Sequence, residues 1–407
     1  MNGFTSLRTV SPVADTLLSI AMMLLAGLCL TRLAKKFRMP DVTAYIIAGI
    51  LLGPHCFNLV SEGVIEGMVF LPDIALALIA FSTGEFFKFS ALKKNGWRVV
   101  VITLFEACTA SLFVFWGMYF CLKLDFAFSV ILAALAAATA PASTMMTIRQ
   151  TRAEGDFVDT LLQVVALDDV VGLISYSVAV SIVTASVNGS QFRFGGIAKP
   201  LAINTGVFLL GGIFGYALMK VLAHRHAQDT RLLLAVAFLF VFCGICALVS
   251  VSPLLGCMAM GTVYANAAED DSLFWQLNSF SPPILLLFFV RSGVCFALDS
   301  LVDTTDFIGT VPLFAVGLFY FLIRILGKYA GAFVGCWTVG KDRRTRNYLG
   351  LALIPQAGIA IGLAALGERM LGGEAGSALQ TIILASSVLY ELIGPVCAKA
   401  SLYLSHA

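Results

Sequence analysis

Charge is scarce in this chain. Aspartate, glutamate, lysine and arginine make up 12% of its 407 residues, where a soluble domain carries about 25%. With 59% hydrophobic residues and a mean hydropathy of +0.93, that shortage excludes an ordinary water-soluble fold. Polar linkers and extramembrane modules of useful size are missing too, so the work of the chain is expected inside a membrane. The ten cysteines do not form a paired framework in loops. Cys243 and Cys246 lie three apart inside an apolar run and are read as small packing residues rather than a redox or metal pair. Histidine is rare, with four in all; His224 and His226 flank Arg225 in a loop and are read as solvated, although histidine titrates near neutrality. A net charge of +2 implies no nucleic-acid partner. Covalent catalysis, a nucleotide site, a metal cofactor or any other cofactor has no signature here, so the chain is not expected to be an enzyme.

What fills the sequence instead is a succession of apolar runs of about 20 residues, each long enough to cross a bilayer. We place thirteen at 13–34, 40–57, 67–87, 97–122, 126–148, 158–185, 201–223, 230–250, 253–268, 279–299, 310–338, 347–367 and 376–402. The first follows one basic residue, Arg8, without a convincing small-residue cleavage site, and is expected to be a retained span rather than a signal peptide. With the N-terminus outside, the inner segments hold 18 of the 26 lysines and arginines and the outer segments 5. The positive-inside rule then puts the C-terminus in the cytoplasm. The expected fold is an all-α polytopic membrane protein.

Two of these spans are interrupted. Span 5 carries Thr139-Ala140-Pro141-Ala142-Ser143-Thr144 at its centre, and span 12 carries Pro355-Gln356-Ala357-Gly358. Proline removes an intrahelical donor and clashes with the preceding turn, and in lipid the freed carbonyls survive only beside protein or water. Spans 5 and 12 are seven apart and run in opposite directions. Taking spans 1–6 and 8–13 as two halves makes them equivalent under an inverted repeat, and such paired breaks are the best sequence pointer to a transporter binding site.

The few charges inside the spans are Glu106, Asp168, Asp169, Arg291, Arg324, Lys328 and Glu391, with Asp73, Glu85 and Asp299 nearer the ends. Buried ionisable groups in a span face a cavity, pair with one another or mark an ion path. Asp168 and Asp169 lie near the middle of span 6 and point about 100° apart on a helix, so they cannot do one job identically. Two carboxylates this close repel when both are ionised. Lys328 in span 11 is the cation that relieves them, because lysine gives up its proton when desolvated and arginine does not. This predicts that Asp169 faces the broken spans and binds a monovalent cation or a proton, while Asp168 pairs with Lys328 until the cation binds. Span 4 corresponds to span 11 in the repeat, so Glu106 answers Arg324 and Lys328. Arg324 is expected to take a carboxylate, with Glu391 and Glu106 as candidates, in a structural or modulatory role. The partner of Arg291 is not legible.

Five segments in order resemble the monovalent cation:proton antiporter superfamily, in particular bacterial sodium/proton antiporters with a double-aspartate motif. They are MPDVTAYIIAGILLGP in span 2, ALDDVVGLI in span 6, RILGKYAGA in span 11, IPQAGIAIGL in span 12 and YELIGP in span 13. The resemblance implies a core ion-transport part at about 97–185 and 310–402, a dimerisation part at about 13–87 and 230–299, and a linker helix at 201–223. It implies a homodimer in the bacterial inner membrane and alternating access by an elevator-like slide of the core. It makes Asp169 the principal carboxylate, Asp168 the partner of Lys328, and Thr139 with neighbouring carbonyls the lining of the site. Exchange of sodium or lithium for protons, electrogenic as in relatives with an intramembrane lysine, is the implied activity. Break 5 departs from the family by reading Thr-Ala-Pro where electroneutral exchangers commonly have Thr-Asp-Pro. Arg291 stands where many relatives have a small or apolar residue, and the nucleotide-binding domain of ligand-gated potassium-efflux relatives is lacking.

Potassium as the exchanged ion, a sodium-coupled organic-anion symporter and a cation channel are the competing readings. A channel would show a filter-like segment or a symmetric ring of charge, and none is seen. A symporter would not need the Asp168–Lys328 exchange.

Overall fold

The computed structural model describes residues 11–36, 41–87, 89–140, 144, 147–148, 151–187, 194–222, 228–249, 251–268, 272–296, 311–356 and 358–406. Among the described residues there are helices and no strands. In chain order the helices are α1 (Pro12–Lys36), α2 (Asp41–Leu52), α3 (Glu62–Gly67), α4 (Leu71–Thr83), α5 (Phe89–Trp116), α6 (Phe126–Leu135), α7 (Asp156–Val187) and α8 (Phe194–Leu222). They continue with α9 (Gln228–Leu248), α10 (Leu254–Ala267), α11 (Ser272–Phe280), α12 (Pro282–Val294), α13 (Leu313–Thr338), α14 (Arg343–Ala352), α15 (Gly358–Leu371) and α16 (Gly373–Ser405).

Every apolar run read from the sequence holds a helix, but the helix often occupies only part of the run. Six described helices are long and apolar enough to cross a membrane alone, and the pair α11–α12, bent by 45°, makes a seventh. The 12 residues of α2 cover about 18 Å at 1.5 Å per residue, short of a hydrocarbon core of about 30 Å. Its run continues to residue 57, but the helix ends where the Gly53-Pro54 turn begins. Other runs are cut by internal breaks: α6 stops at Leu135 inside the run 126–148. Gly96 sits inside α5 at φ +56°, a left-handed conformation that glycine adopts at little cost. It separates residues 89–95 from the apolar stretch Gly96–Cys121.

α13 and α5 form the most extensively packed helix pair. Gly327, Gly331 and Gly335 recur every four residues along α13 and so share one face. A Cβ on Gly331 would sit 2.5 Å from Glu106 Cα, and one on Gly327 or Gly335 would sit 2.7 Å from Ala110 Cα or 2.9 Å from Ile102 Cα. Small residues let two backbones approach this closely in a membrane, where apolar side chains gain nothing by leaving lipid. That approach is what brings Glu106 of α5 against the polar face of α13.

Two arginines join the α3–α4 region to α12 and α15. Arg291 Nε donates to the carbonyl of Ile65 at 3.3 Å, which supplies the partner that the sequence does not disclose. Arg369 Nη1 lies 3.0 Å from Asp73 Oδ2, and its Nη2 donates to the carbonyl of Val69 at 2.8 Å.

Candidate ion-binding site

The two interrupted spans are built alike. α6 starts on Asp125, whose Oδ2 accepts from the amides of Ala127 and Phe128 at 2.8 and 3.2 Å. α14 starts on Asp342, whose Oδ2 accepts from the amides of Arg344 and Thr345 at 3.0 and 3.3 Å. An aspartate N-cap satisfies orphan amides at a helix start. Each helix then runs for 10 residues and stops. The breaks meet directly: the amide of Ala140 donates to the carbonyl of Pro355 at 2.9 Å, and Gln356 Nε2 donates to the carbonyl of Leu135 at 2.7 Å. Pro141 lies outside the described residues.

A helix that ends inside a membrane leaves its last carbonyls without intrahelical donors, and its C-terminus carries partial negative charge. α13 supplies the compensation from two side chains one turn apart. Arg324 Nε and Nη2 donate to the carbonyls of Ala136 and Ala138 at 2.9 and 2.6 Å, and Nη1 donates to the carbonyl of Ile354 at 2.9 Å. The guanidinium also lies 4.6 Å from the centroid of the Tyr390 ring. The sequence reading looks for a carboxylate beside Arg324 and does not foresee these carbonyls of both breaks, which a five-donor fork matches because several acceptors converge on it. Glu391 is buried on α16, next in sequence to Tyr390.

Lys328 is fully buried and has four contacts. Nζ donates to Asp168 Oδ2 at 2.6 Å, to Thr139 Oγ1 at 2.9 Å and to the carbonyl of Ala137, and it lies 2.8 Å from Glu106 Oε2. The Thr139 hydroxyl donates in turn to Asp168 Oδ2. Glu106, a candidate partner of Arg324 in the sequence reading, therefore stands beside Lys328.

Asp169 differs from all of these. It is completely buried, and neither carboxylate oxygen has a hydrogen-bond partner among the described residues. Asp168 Oδ1 is in the same condition. A buried carboxylate left without donors is costly, and burial of an ionised one is tolerated only with a compensating charge. If Asp168, Asp169 and Glu106 were all ionised, Lys328 would leave two negative charges uncompensated around it. Protons or cations must make up the difference, and such a site can trade one for the other. A pocket lined by Leu173 and Tyr176 of α7, Asn204 of α8 and Leu363 of α15 begins one turn beyond Asp169 and touches neither aspartate. Both carboxylates are enclosed in this conformation, so reaching them requires a rearrangement. Among the described residues no group of three or more His, Cys, Asp and Glu side chains is placed to hold a resident metal. A monovalent cation would be substrate, met by the aspartates and by hydroxyl and carbonyl oxygens.

Sequence reasoning overlooks the donor roles of Gln356 and Arg324 toward broken-helix carbonyls, whereas it does set Glu106 opposite both Arg324 and Lys328. One signal for Arg324 is available: Arg324 and Lys328 are four apart and share a helix face, so one cannot reach the breaks without the other lying nearby.

Known proteins agree with this architecture. A family model described as sodium/hydrogen exchanger, transmembrane, matches residues 20–398. The probable Na(+)/H(+) antiporter 3 of Methanocaldococcus jannaschii is 22% identical over 375 residues, covering 90% of this chain and 92% of its own. The ammonium/H(+) antiporter subunit AmhT of Alkalihalophilus pseudofirmus is 22% identical over 391 residues, covering 94% and 93%. The solved structure of the sodium proton antiporter MjNhaP1 from Methanocaldococcus jannaschii matches with a TM-score of 0.79 at 18% identity, over 97% of this chain and 99% of that one, and so shares the fold. With apolar helices that span a membrane several times and a family match over almost its whole length, the chain belongs to the sodium/hydrogen exchanger family of the monovalent cation:proton antiporter superfamily.

Proposed function

We propose that this protein is a secondary antiporter that exchanges sodium or lithium for protons by alternating access, electrogenically. Asp169 is the carboxylate that holds cation and proton in turn. The observation that carries the reading is the contrast between two adjacent, fully buried aspartates. Asp168 is held by Lys328 and Thr139, whereas Asp169 has no hydrogen-bond partner among the described residues. A carboxylate kept at that depth without a structural bond is one whose partner comes and goes. When a cation takes both aspartates, Lys328 leaves Asp168; when protons return, the pair forms again. Competition for the same oxygens makes the two fluxes mutually exclusive, which is coupling. The family and its relatives support sodium; the relative named as an ammonium antiporter makes ammonium the second ion to test, alongside potassium.

The test is proton flux in proteoliposomes with an imposed pH gradient, adding sodium, lithium, potassium and ammonium in turn. Sodium or lithium is expected to collapse the gradient, an opposing membrane potential to change the rate, and Asp169→Asn to abolish the response. A folded wild-type protein that moves no protons with any of these ions across a broad pH range would end the antiporter reading.

The orientation, with the N-terminus outside and the C-terminus in the cytoplasm, rests on the excess of basic residues in the inner segments. It puts the exposed thiol of Cys56 on the outer side. A membrane-impermeant maleimide added to intact cells should label wild type more strongly than Cys56→Ser. Equal outside labelling, with a difference appearing only in inverted vesicles, would reverse the assignment.

A further inference from the structure

Glu106 is the residue that the exchange described above leaves without a task. It is completely buried, and it is 2.8 Å from the ammonium. At that distance the ammonium is within hydrogen-bond reach of Glu106 Oε2, and the two form an ion pair shut off from solvent. An ammonium has three protons, and Lys328 faces four acceptors, on Asp168, Thr139, Ala137 and Glu106, so two carboxylates share it. Glu106 thus competes with Asp168 for one ammonium. A second buried carboxylate beside one ammonium costs free energy, and a well-packed hydrophobic residue there would avoid the cost.

We propose that Glu106 is a positioning residue, the second seat of Lys328: when a cation takes Asp168, the ammonium turns to Glu106 and stays charged within the site. This rests on the exchange reading above and adds to it the destination of the lysine. The geometry is suited to such a turn. Asp168 Oδ2 and Glu106 Oε2 lie at 2.6 and 2.8 Å from the same nitrogen, so the transfer needs rotation of a three-donor head and little movement of the stem. Gly331 holds the α5 backbone at Glu106 against α13, one turn from Lys328, so the second seat is rigidly coupled to the lysine whatever happens at α7. Without Glu106, a cation arriving at Asp168 would strand a buried, unpaired ammonium, which is far less favourable than a paired one. The protons exchanged then come from carboxyl groups, not from the lysine.

The consequence is specific to cation affinity. In proteoliposomes, Glu106→Gln keeps the shape and removes the charge. It is expected to raise the sodium (or lithium) concentration for half-maximal proton flux by at least about tenfold, with Glu106→Asp lying between it and wild type. Cation-dependent thermal stabilisation in detergent should shift by the same factor. A role in packing alone would lower the melting temperature or the maximal rate without moving the half-maximal concentration, and that result would overturn the proposal. Should Glu106→Gln not fold, Glu106→Asp decides: one methylene shorter, it must show a raised half-maximal concentration, and a wild-type value rejects the second seat. Wild-type protein with no cation-driven flux at all would instead defeat the exchange reading itself, so the two failures are distinguishable.

Discussion

Arg324→Ala is expected to yield little folded protein and no measurable cation-driven proton flux. The side chain holds three carbonyls, those of Ala136, Ala138 and Ile354, at the ends of helices that stop inside the bundle. Each carbonyl left buried and unsatisfied costs about 1–3 kcal/mol, and three together approach the whole stability of a typical fold, about 5–15 kcal/mol. The guanidinium and the residues whose carbonyls it meets are buried away from bulk solvent. Arg324→Lys separates charge from geometry: it restores a cation at two helix C-termini but offers a point charge in place of a planar fork. It should fold, melt several degrees lower than wild type and transport more slowly. Fluorescence-detected size-exclusion after heating, with the flux assay, reads both effects. Wild-type melting and wild-type flux in Arg324→Ala would show that the carbonyls find other donors and that the fork is not what closes the breaks.

That prediction rests on the part of the site that sequence reasoning reads least well. The breaks themselves are legible, because Pro355 beside Gln356 and the Thr-Ala-Pro of residues 139–141 are residues that a continuous helix in lipid does not tolerate. The exceptional status of Asp168 and Asp169 is legible as well, since a midplane carboxylate in a chain with 12% charge stands out by cost alone. What cannot be read is which donor meets which acceptor. A charge inside a span suggests an opposite charge as its partner, and on that logic Arg324 looks for Glu391 or Glu106. Backbone carbonyls carry no letter in a sequence, so the partners that Arg324 takes are invisible until two helix ends are placed side by side. Helix lengths are hidden for a related reason. Hydropathy marks which residues shun water, but Leu122 or Ala136 is as apolar beyond a helix end as within it. The run from 126 to 148 therefore reads as one span although α6 ends after ten residues. The inverted repeat stays a proposal resting on hydropathy. The shared plan of α6 and α14, an aspartate N-cap, ten residues and a break, is nonetheless the local pattern that such a repeat would leave.

Gly331→Leu is the second substitution with a large expected effect, and it acts through distance rather than charge. Its Cβ would stand 2.5 Å from Glu106 Cα, which is backbone and cannot swing aside. The two helices must separate or the chain must misfold. Overpacking of this kind costs about 1–3 kcal/mol, occasionally more. Here the displaced residue is also the carboxylate facing Lys328. Transport should be lost even in protein that still folds, and the smaller change Gly331→Ala should already weaken it. The comparison that gives this force is Gly244 on α9, where an added Cβ meets nothing within 4 Å. Alanine there trades a poor helix former for the best one, a gain of up to about 1 kcal/mol in an exposed helix. Gly244→Ala should therefore leave flux unchanged and stability equal or slightly higher. If Gly331→Ala behaves like Gly244→Ala in both melting and half-maximal sodium, the close contact between α5 and α13 is not needed for exchange. The second seat for Lys328 would then lose its rigid support. If the two alanines diverge, with Gly331→Ala raising the half-maximal sodium concentration as Glu106→Gln is expected to, then backbone spacing and carboxylate charge act on the same step. The glycine stripe would be part of the ion-handling machinery rather than packing alone.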